Sequence, residues 1–121
     1  MRRAAEGGEP RAMANLALLL LDDGTLDDAH AWVVKAVGAA PLYANAQRAL
    51  GKVALAQGQL AEAHGAFEQA RALEPANHTN AYNLALVLVR EGRASEARPL
   101  LEQCLGDPRL DGPARALLEV R

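Results

Sequence analysis

An all-helical chain built from a repeated pair of helices is the fold this sequence predicts, on three observations. The apolar composition is 27 Ala and 20 Leu against 7 Val, no Ile and four aromatics, Trp32, Tyr43, Phe67 and Tyr82. Ala and Leu lead the helix scale while strands draw on β-branched and aromatic residues, so a sandwich, a barrel or a wide sheet is excluded. Gly24, Gly58 and Gly92 recur every 34 residues, as do Ala29, Ala63 and Ala97, and Leu16, Leu50 and Leu84, all in one register. Pro41 and Pro75 share that spacing. Three residue series in phase establish an internal repeat, and the 121 residues amount to one domain of stacked units.

Each unit reads as two helices. After an N-terminal extension, residues 1–9, the first helix of each pair runs from about Pro10 to Asp22, Ala44 to Gln57 and His78 to Glu91. Each is stopped by a glycine suited to the left-handed conformation of a helix C-terminus. The second helix starts within a few residues. Thr25 and Asp28 have the spacing of a capping box, and Glu62 and Glu96 stand at the position equivalent to Asp28, where acidic groups favour the positive end of a helix dipole. Pro41 and Pro75 then punctuate the turn to the next unit. The units are 10–43, 44–77 and 78–109. A closing helix occupies 110–121, with Asp111 as N-cap, Pro113 in the first turn, and Leu117 and Leu118 for packing. Leu18 to Leu21 make the first helix apolar on nearly all sides, more than one neighbour demands. That excess points to a cover: the N-terminal residues, a partner helix, or a second copy meeting this one as a homodimer.

Charge and motifs remove whole classes of function. Thirteen Lys and Arg against fifteen Asp and Glu give a net of −2, far from the basic balance of nucleic-acid binders. Cys104 is the sole cysteine, so no intrachain disulfide forms and the cytoplasm is the default compartment. The run Leu16 to Leu21 is too short for a membrane span of about 20 residues, and acidic residues around it disqualify a signal peptide. His30 and His64 lie 34 apart and echo each other as helix-surface residues, and His78 reads as a solvent-facing turn residue. Asp22, Asp23, Asp27 and Asp28 flank Gly24 without the ligand spacing of an EF-hand. Cys104 has no histidine base at motif spacing and reads as a packing residue. With no phosphate loop, CxxC pair or nucleophile elbow, neither an enzyme, a cofactor nor a metal is expected. Arg outnumbers Lys 11 to 2, which with so much alanine points to a GC-rich bacterial genome.

These spacings resemble the tetratricopeptide repeat family. Its motif carries a large residue at position four, Leu at seven, a small residue at eight, large residues at eleven and twenty-four, Ala at twenty and twenty-seven, and Pro at thirty-two. The first unit reads Met13, Leu16, Ala17, Leu20, Ala29, Val33, Ala36 and Pro41. The second reads Leu50, Gly51, Ala54, Ala63, Phe67, Ala70 and Pro75, and the third Leu84, Ala85, Leu88, Ala97, Leu101 and Cys104. Gln47 and Ala81 depart from the motif at position four, and Pro108 comes one residue early. The resemblance implies a right-handed α-solenoid of three helix-turn-helix units plus a C-terminal capping helix. It also implies a concave groove, lined by the first helices, that binds another protein.

Carried onto this sequence, the inward positions assign the groove to Arg11 and Asn15 of the first unit, Asn45, Arg48 and Lys52 of the second, and Thr79, Tyr82, Asn83 and Arg90 of the third. Asn15 and Asn83 share one repeat position, and their amides suit the N–H and C=O groups of an extended peptide. Arg48 and Lys52, one helical turn apart, could together hold a carboxylate, so the expected ligand is an extended or helical, acidic or amphipathic segment. Ala14 and Leu18 stand where family members that clamp acidic chaperone tails carry Lys and Asn, which disfavours that ligand. The alternative is a self-association or assembly scaffold within a larger complex.

The alanines at positions eight and twenty lie where the two helices of a unit cross. Ala63→Leu is therefore expected to destabilise the chain by about 1–3 kcal/mol through overpacking, and an unchanged thermal midpoint would refute that crossing.

Overall fold

A computed structural model describes residues 9–119. Among them are seven α-helices and no strand: α1 (Pro10–Asp22), α2 (Leu26–Ala39), α3 (Ala44–Ala56), α4 (Leu60–Leu73), α5 (His78–Arg90), α6 (Ala94–Cys104) and α7 (Asp111–Glu119). They form a helical repeat solenoid in which α1/α2, α3/α4 and α5/α6 pair as antiparallel neighbours. Each second helix then packs on the first helix of the next pair. Residues 1–8 of the expected N-terminal extension, and any cover they give α1, lie outside the described residues.

The three glycines act as the period requires. Gly24, Gly58 and Gly92 have φ of 81°, 76° and 78°, the left-handed region that costs glycine nothing. Around each, the glycine N–H donates to the carbonyl three residues back (Leu21, Leu55, Val89). The following N–H (Thr25, Gln59, Arg93) donates to the carbonyl five back (Leu20, Ala54, Leu88), at 2.8–3.1 Å. This Schellman geometry satisfies the last carbonyls of α1, α3 and α5 and sets the angle at which the second helix departs. α3 and α5 end one residue sooner than expected, because Gln57 and Glu91 serve as C-caps.

The capping box at Thr25 does not form. Thr25 Oγ1 donates to the Leu20 carbonyl at 3.0 Å, turned back toward α1 by the Schellman turn, and makes no cap bond to α2. Asp27 and Asp28 still lie in the first turn of α2. Asp111 likewise is the first residue of α7, and its carboxylate accepts from the Gly106 N–H and from Arg115. Among α1–α6, only Asn77 caps with its side chain, accepting from the Thr79 N–H at 3.0 Å.

Between units the chain turns through residues 40–43, 74–77 and 107–110, each closed by an N–H to C=O bond and each with proline second, Pro41, Pro75 and Pro108. That is the position where a fixed φ suits a β-turn. The early Pro108 therefore builds the same turn one residue sooner. α6 ends at Cys104, ahead of a fourth left-handed glycine, Gly106 (φ 95°), and it carries Pro99 inside, whose missing N–H breaks one rung of the helix. α7 restarts in the register of a first helix, burying Ala114 and half-burying Leu117 and Leu118 on α6 and its neighbours.

The core is a thin line of small residues with one large residue per crossing. Ala17, Gly51 and Ala85 are buried on the first helices, and Ala29, Ala63 and Ala97 on the second. Opposite them stand Val33, Phe67 and Leu101, all buried. The largest partner faces the glycine: a methyl added at Gly51 would lie 2.5–2.6 Å from three carbons of the Phe67 ring. Of the leucine run, Leu18, Leu20 and Leu21 pack against the first core cluster and only Leu19 is exposed, at 49%. Packing between the first two units thus half-buries three of the four leucines whose excess pointed to a cover.

Gly51→Ala is expected to destabilise the fold, since overpacking of about 1–3 kcal/mol exceeds the roughly 1 kcal/mol that alanine gains over glycine in a helix. Adding Phe67→Leu recreates the Ala85/Leu101 pairing of the third unit and should restore the melting temperature. Additive losses in the double variant would show that the two residues do not share the crossing.

Candidate functional site

Small residues on α1 and α3 allow these helices to lie side by side, and between them runs a groove of about 280 Å³. Ala14, Asn15 and Leu18 line it from α1, and Asn45, Arg48, Ala49 and Lys52 from α3. Spacings of three and four residues put each set on one helix face. Four expected residues, Asn15, Asn45, Arg48 and Lys52, thus come together. Arg11 is exposed on α1 outside the groove lining, and Thr79, Tyr82, Asn83 and Arg90 belong to α5, which meets α3 at few backbone positions. Tyr82 is half-buried against the second core cluster. Asn83 is 7% exposed, and its amide nitrogen has no hydrogen-bond partner among the described residues.

Arg48 is not the free cation that its spacing from Lys52 suggested. Its guanidinium donates to the Glu74 carboxylate, to Asn45 Oδ1, and to Asn80 Oδ1 at 3.1 Å. Asn80 is fully buried and sends its own amide to the Ala70 and Glu74 carbonyls at 3.1 and 3.2 Å. Arg48 and Asn80 therefore tie α3 to the turn between α4 and α5. The guanidinium, first through its hydrogen bond, holds the Glu74 carboxyl below the usual carboxylate range against an opposing push from burial. Lys52 is exposed, with no ion-pair partner among the described residues.

Reading by motif alone misses Glu74 and Asn80, which fall at no consensus position. The available signal was an amide near the start of α3 and of α5, each after a proline turn. Gln47 does comparable work one joint earlier, donating to the Pro41 carbonyl at 3.0 Å. A buried hydrogen bond there takes the place of the large apolar residue the motif calls for.

The histidines are joint residues as well. His30 Nε2 lies 3.0 Å from Glu62 of the next unit, and His78, the first residue of α5 and not part of a turn, lies 3.5 Å from Asp107. His64 has a carboxylate at each ring nitrogen, Glu68 at Nε2 and Glu91 at Nδ1, the latter at 2.9 Å. Only an imidazolium can donate from both nitrogens. The hydrogen bond to Glu91 leads in raising the His64 pKa above its usual 6.5, with burial opposing it. Cys104 is fully buried, 3.4–3.5 Å from the Leu100 and His78 carbonyls, and burial, then Asp107, pushes its thiol pKa up, the reverse of an activated nucleophile. Among the described residues no three metal-ligating side chains converge, and no helix is long and apolar enough to cross a membrane.

A family model described as tetratricopeptide repeat matches residues 48–109, just over half of the chain. The chain belongs to the tetratricopeptide repeat family. Among solved structures it is similar to YrrB, described as a TPR protein with an unusual peptide-binding site, at 27% identity and a TM-score of 0.85. That match covers 97% of this chain and 61% of YrrB, so this chain spans about three fifths of YrrB's length. The type III secretion translocator chaperone SycD of Yersinia enterocolitica is 20% identical with a TM-score of 0.82, covering 91% of this chain and 89% of SycD. TTC0263, a thermophilic TPR protein of Thermus thermophilus, is 22% identical with a TM-score of 0.79, covering 97% and 66%. The last two likenesses concern the fold alone. No curated protein matches the sequence.

Because the folded pKa of His64 is raised, its pairing stabilises fully below pH 6.5 and is lost as pH rises through the raised value. Melting temperatures measured across that window should fall in the wild type. They should fall less in His64→Gln; equal slopes would remove His64 as the titrating group.

Proposed function

We propose that this chain is a protein–protein interaction module whose α1/α3 groove takes an extended segment of a partner bearing an acidic side chain. One observation carries the reading: the groove joins an aliphatic floor, Ala14, Leu18 and Ala49, to the amide of Asn15 and the unpaired ammonium of Lys52, while the Asn45 amide is engaged by Arg48 and the Tyr43 hydroxyl. Side-chain amides both donate and accept, which matches the alternating groups of an extended backbone. Lys52 adds a charge that selects a carboxylate. Membership of the tetratricopeptide repeat family and the likeness to a peptide-binding protein of that family support the same reading. Thr79, Tyr82 and Arg90 would serve a longer ligand reaching α5, whereas the Asn83 amide nitrogen is buried away from it.

Self-association is the second reading, favoured by the exposure of Leu42, 79%, and of Leu19 and Val34. The two readings part on one substitution. Arg48 must be left intact, since reversing it would set two carboxylates face to face at a joint of the fold.

On an array of random eight-residue peptides, wild-type protein should select sequences enriched in Asp and Glu. Lys52→Glu should weaken their binding by about tenfold with no change in melting temperature. Binding without acidic preference, or equal binding by the variant, would refute the groove. A mass that rises with concentration in light scattering, equally in both proteins, would favour self-association.

A further inference from the structure

One of the groove's two cations is already paired with a carboxylate. Arg48 lines its wall with a side chain only 16% exposed, and the Glu74 carboxylate that pairs with it is 43% exposed. Glu74 reaches Arg48 from the C-cap of α4, at the opposite side of α3 from α1. It is steadied there by Asn77, which donates to it at 3.4 Å, and by the Asn80 amide on its carbonyl. Asn45, the groove amide nearest in sequence, spends its oxygen on the same guanidinium. The strongest anion-binding group at the groove is thus held by the chain's own acidic residue, half-open to solvent, where an incoming carboxylate would have to compete.

We infer that Glu74 is an internal competitor for the acidic ligand: it occupies Arg48, leaves Lys52 as the groove's single available cation, and so sets the affinity and the number of acidic groups the groove accepts. This rests on the groove reading above. A guanidinium prefers a bidentate carboxylate, and an intramolecular one comes at high effective concentration, so a partner gains Arg48 only by displacing Glu74. A ligand with one acidic residue engages Lys52. A ligand with two, spaced to reach Arg48 as well, pays the displacement and gains less than additively.

The experiment compares wild type, Glu74→Gln and Glu102→Gln in binding a labelled hexaglutamate peptide, with hexaglutamine as the uncharged control. Glu102 is exposed on α6, away from the groove, and its variant makes the same change in net charge. Glu74→Gln should bind hexaglutamate about three- to tenfold more tightly than wild type, and Glu102→Gln should not. Equal gains in the two variants, or none in Glu74→Gln, would overturn the competitor while leaving the groove standing. No binding of hexaglutamate by any of the three would overturn both. Glu74→Gln lowers the melting temperature by removing the counter-charge of a largely buried guanidinium, so binding is measured well below it. A second readout needs no variant: adding hexaglutamate to wild-type protein should shift the Glu74 carboxyl carbon resonance toward that of a free carboxylate. An unmoved resonance at saturation would overturn displacement.

Discussion

Everything in this molecule depends on how closely two helix backbones cross within each unit. Gly51 against Phe67 shows the constraint at its tightest, with no room for a methyl between backbone and ring. Full burial of a phenylalanine contributes about 1.5–3 kcal/mol, but only if the opposing helix gives up its own side chain to make the space. The other units carry a less extreme pair at the same repeat positions, buried Ala17 and Val33 in one core cluster and Ala85 and Leu101 in the other. The alanine-rich composition follows from this trade. A chain of such crossings has no thick centre, and its buried residues accordingly form two clusters strung along the stack.

A thin core leaves the joints between units to be held by other means. Backbone geometry supplies part of the answer: three Schellman turns and three proline turns fix the path of the chain without burying side chains. Polar bridges supply the rest. Gln47 and Asn80 satisfy turn carbonyls, His30 and His64 reach carboxylates of the following unit, and Arg48 spans from α3 to the α4–α5 turn. Buried amides and a guanidinium are tolerable here because their hydrogen-bonding groups find partners on the neighbouring unit. Among the described residues the one unmatched buried side-chain group, the Asn83 amide nitrogen, stands on α5, which does not lie flush against α3.

The repeat was legible because it rests on steric demands that only certain residues meet. Glycine at a left-handed turn, a small residue at a crossing and proline in the second place of a turn each leave a mark at fixed spacing. The ends of the first helices, α1, α3 and α5, were legible to within a residue for the same reason. The bridges between side chains were not, since Arg48 and His30 find their partners 26 to 32 residues away and no periodicity announces such a pair. Thr25 shows the failure in small: its spacing to Asp28 fits a capping box, but a tighter local demand, the end of the preceding helix, takes its hydroxyl first.

Arg48 shows the same failure with functional weight. Position on a helix face says where a side chain starts, and this was enough to bring Asn15, Asn45, Arg48 and Lys52 to one groove. It says nothing of whether the charge at the far end is available. In a stack of thin units a long cation near a joint has two calls on it, the neighbouring turn and the solvent-facing groove. The turn is always present, whereas a ligand is not, so the intramolecular carboxylate holds the guanidinium in the free protein. Lys52 lies one turn further along α3, beyond that joint's reach, and keeps its charge for the groove. The difference between these two cations, one paired at the joint and the other without an ion-pair partner among the described residues, is invisible at the level of composition or repeat position.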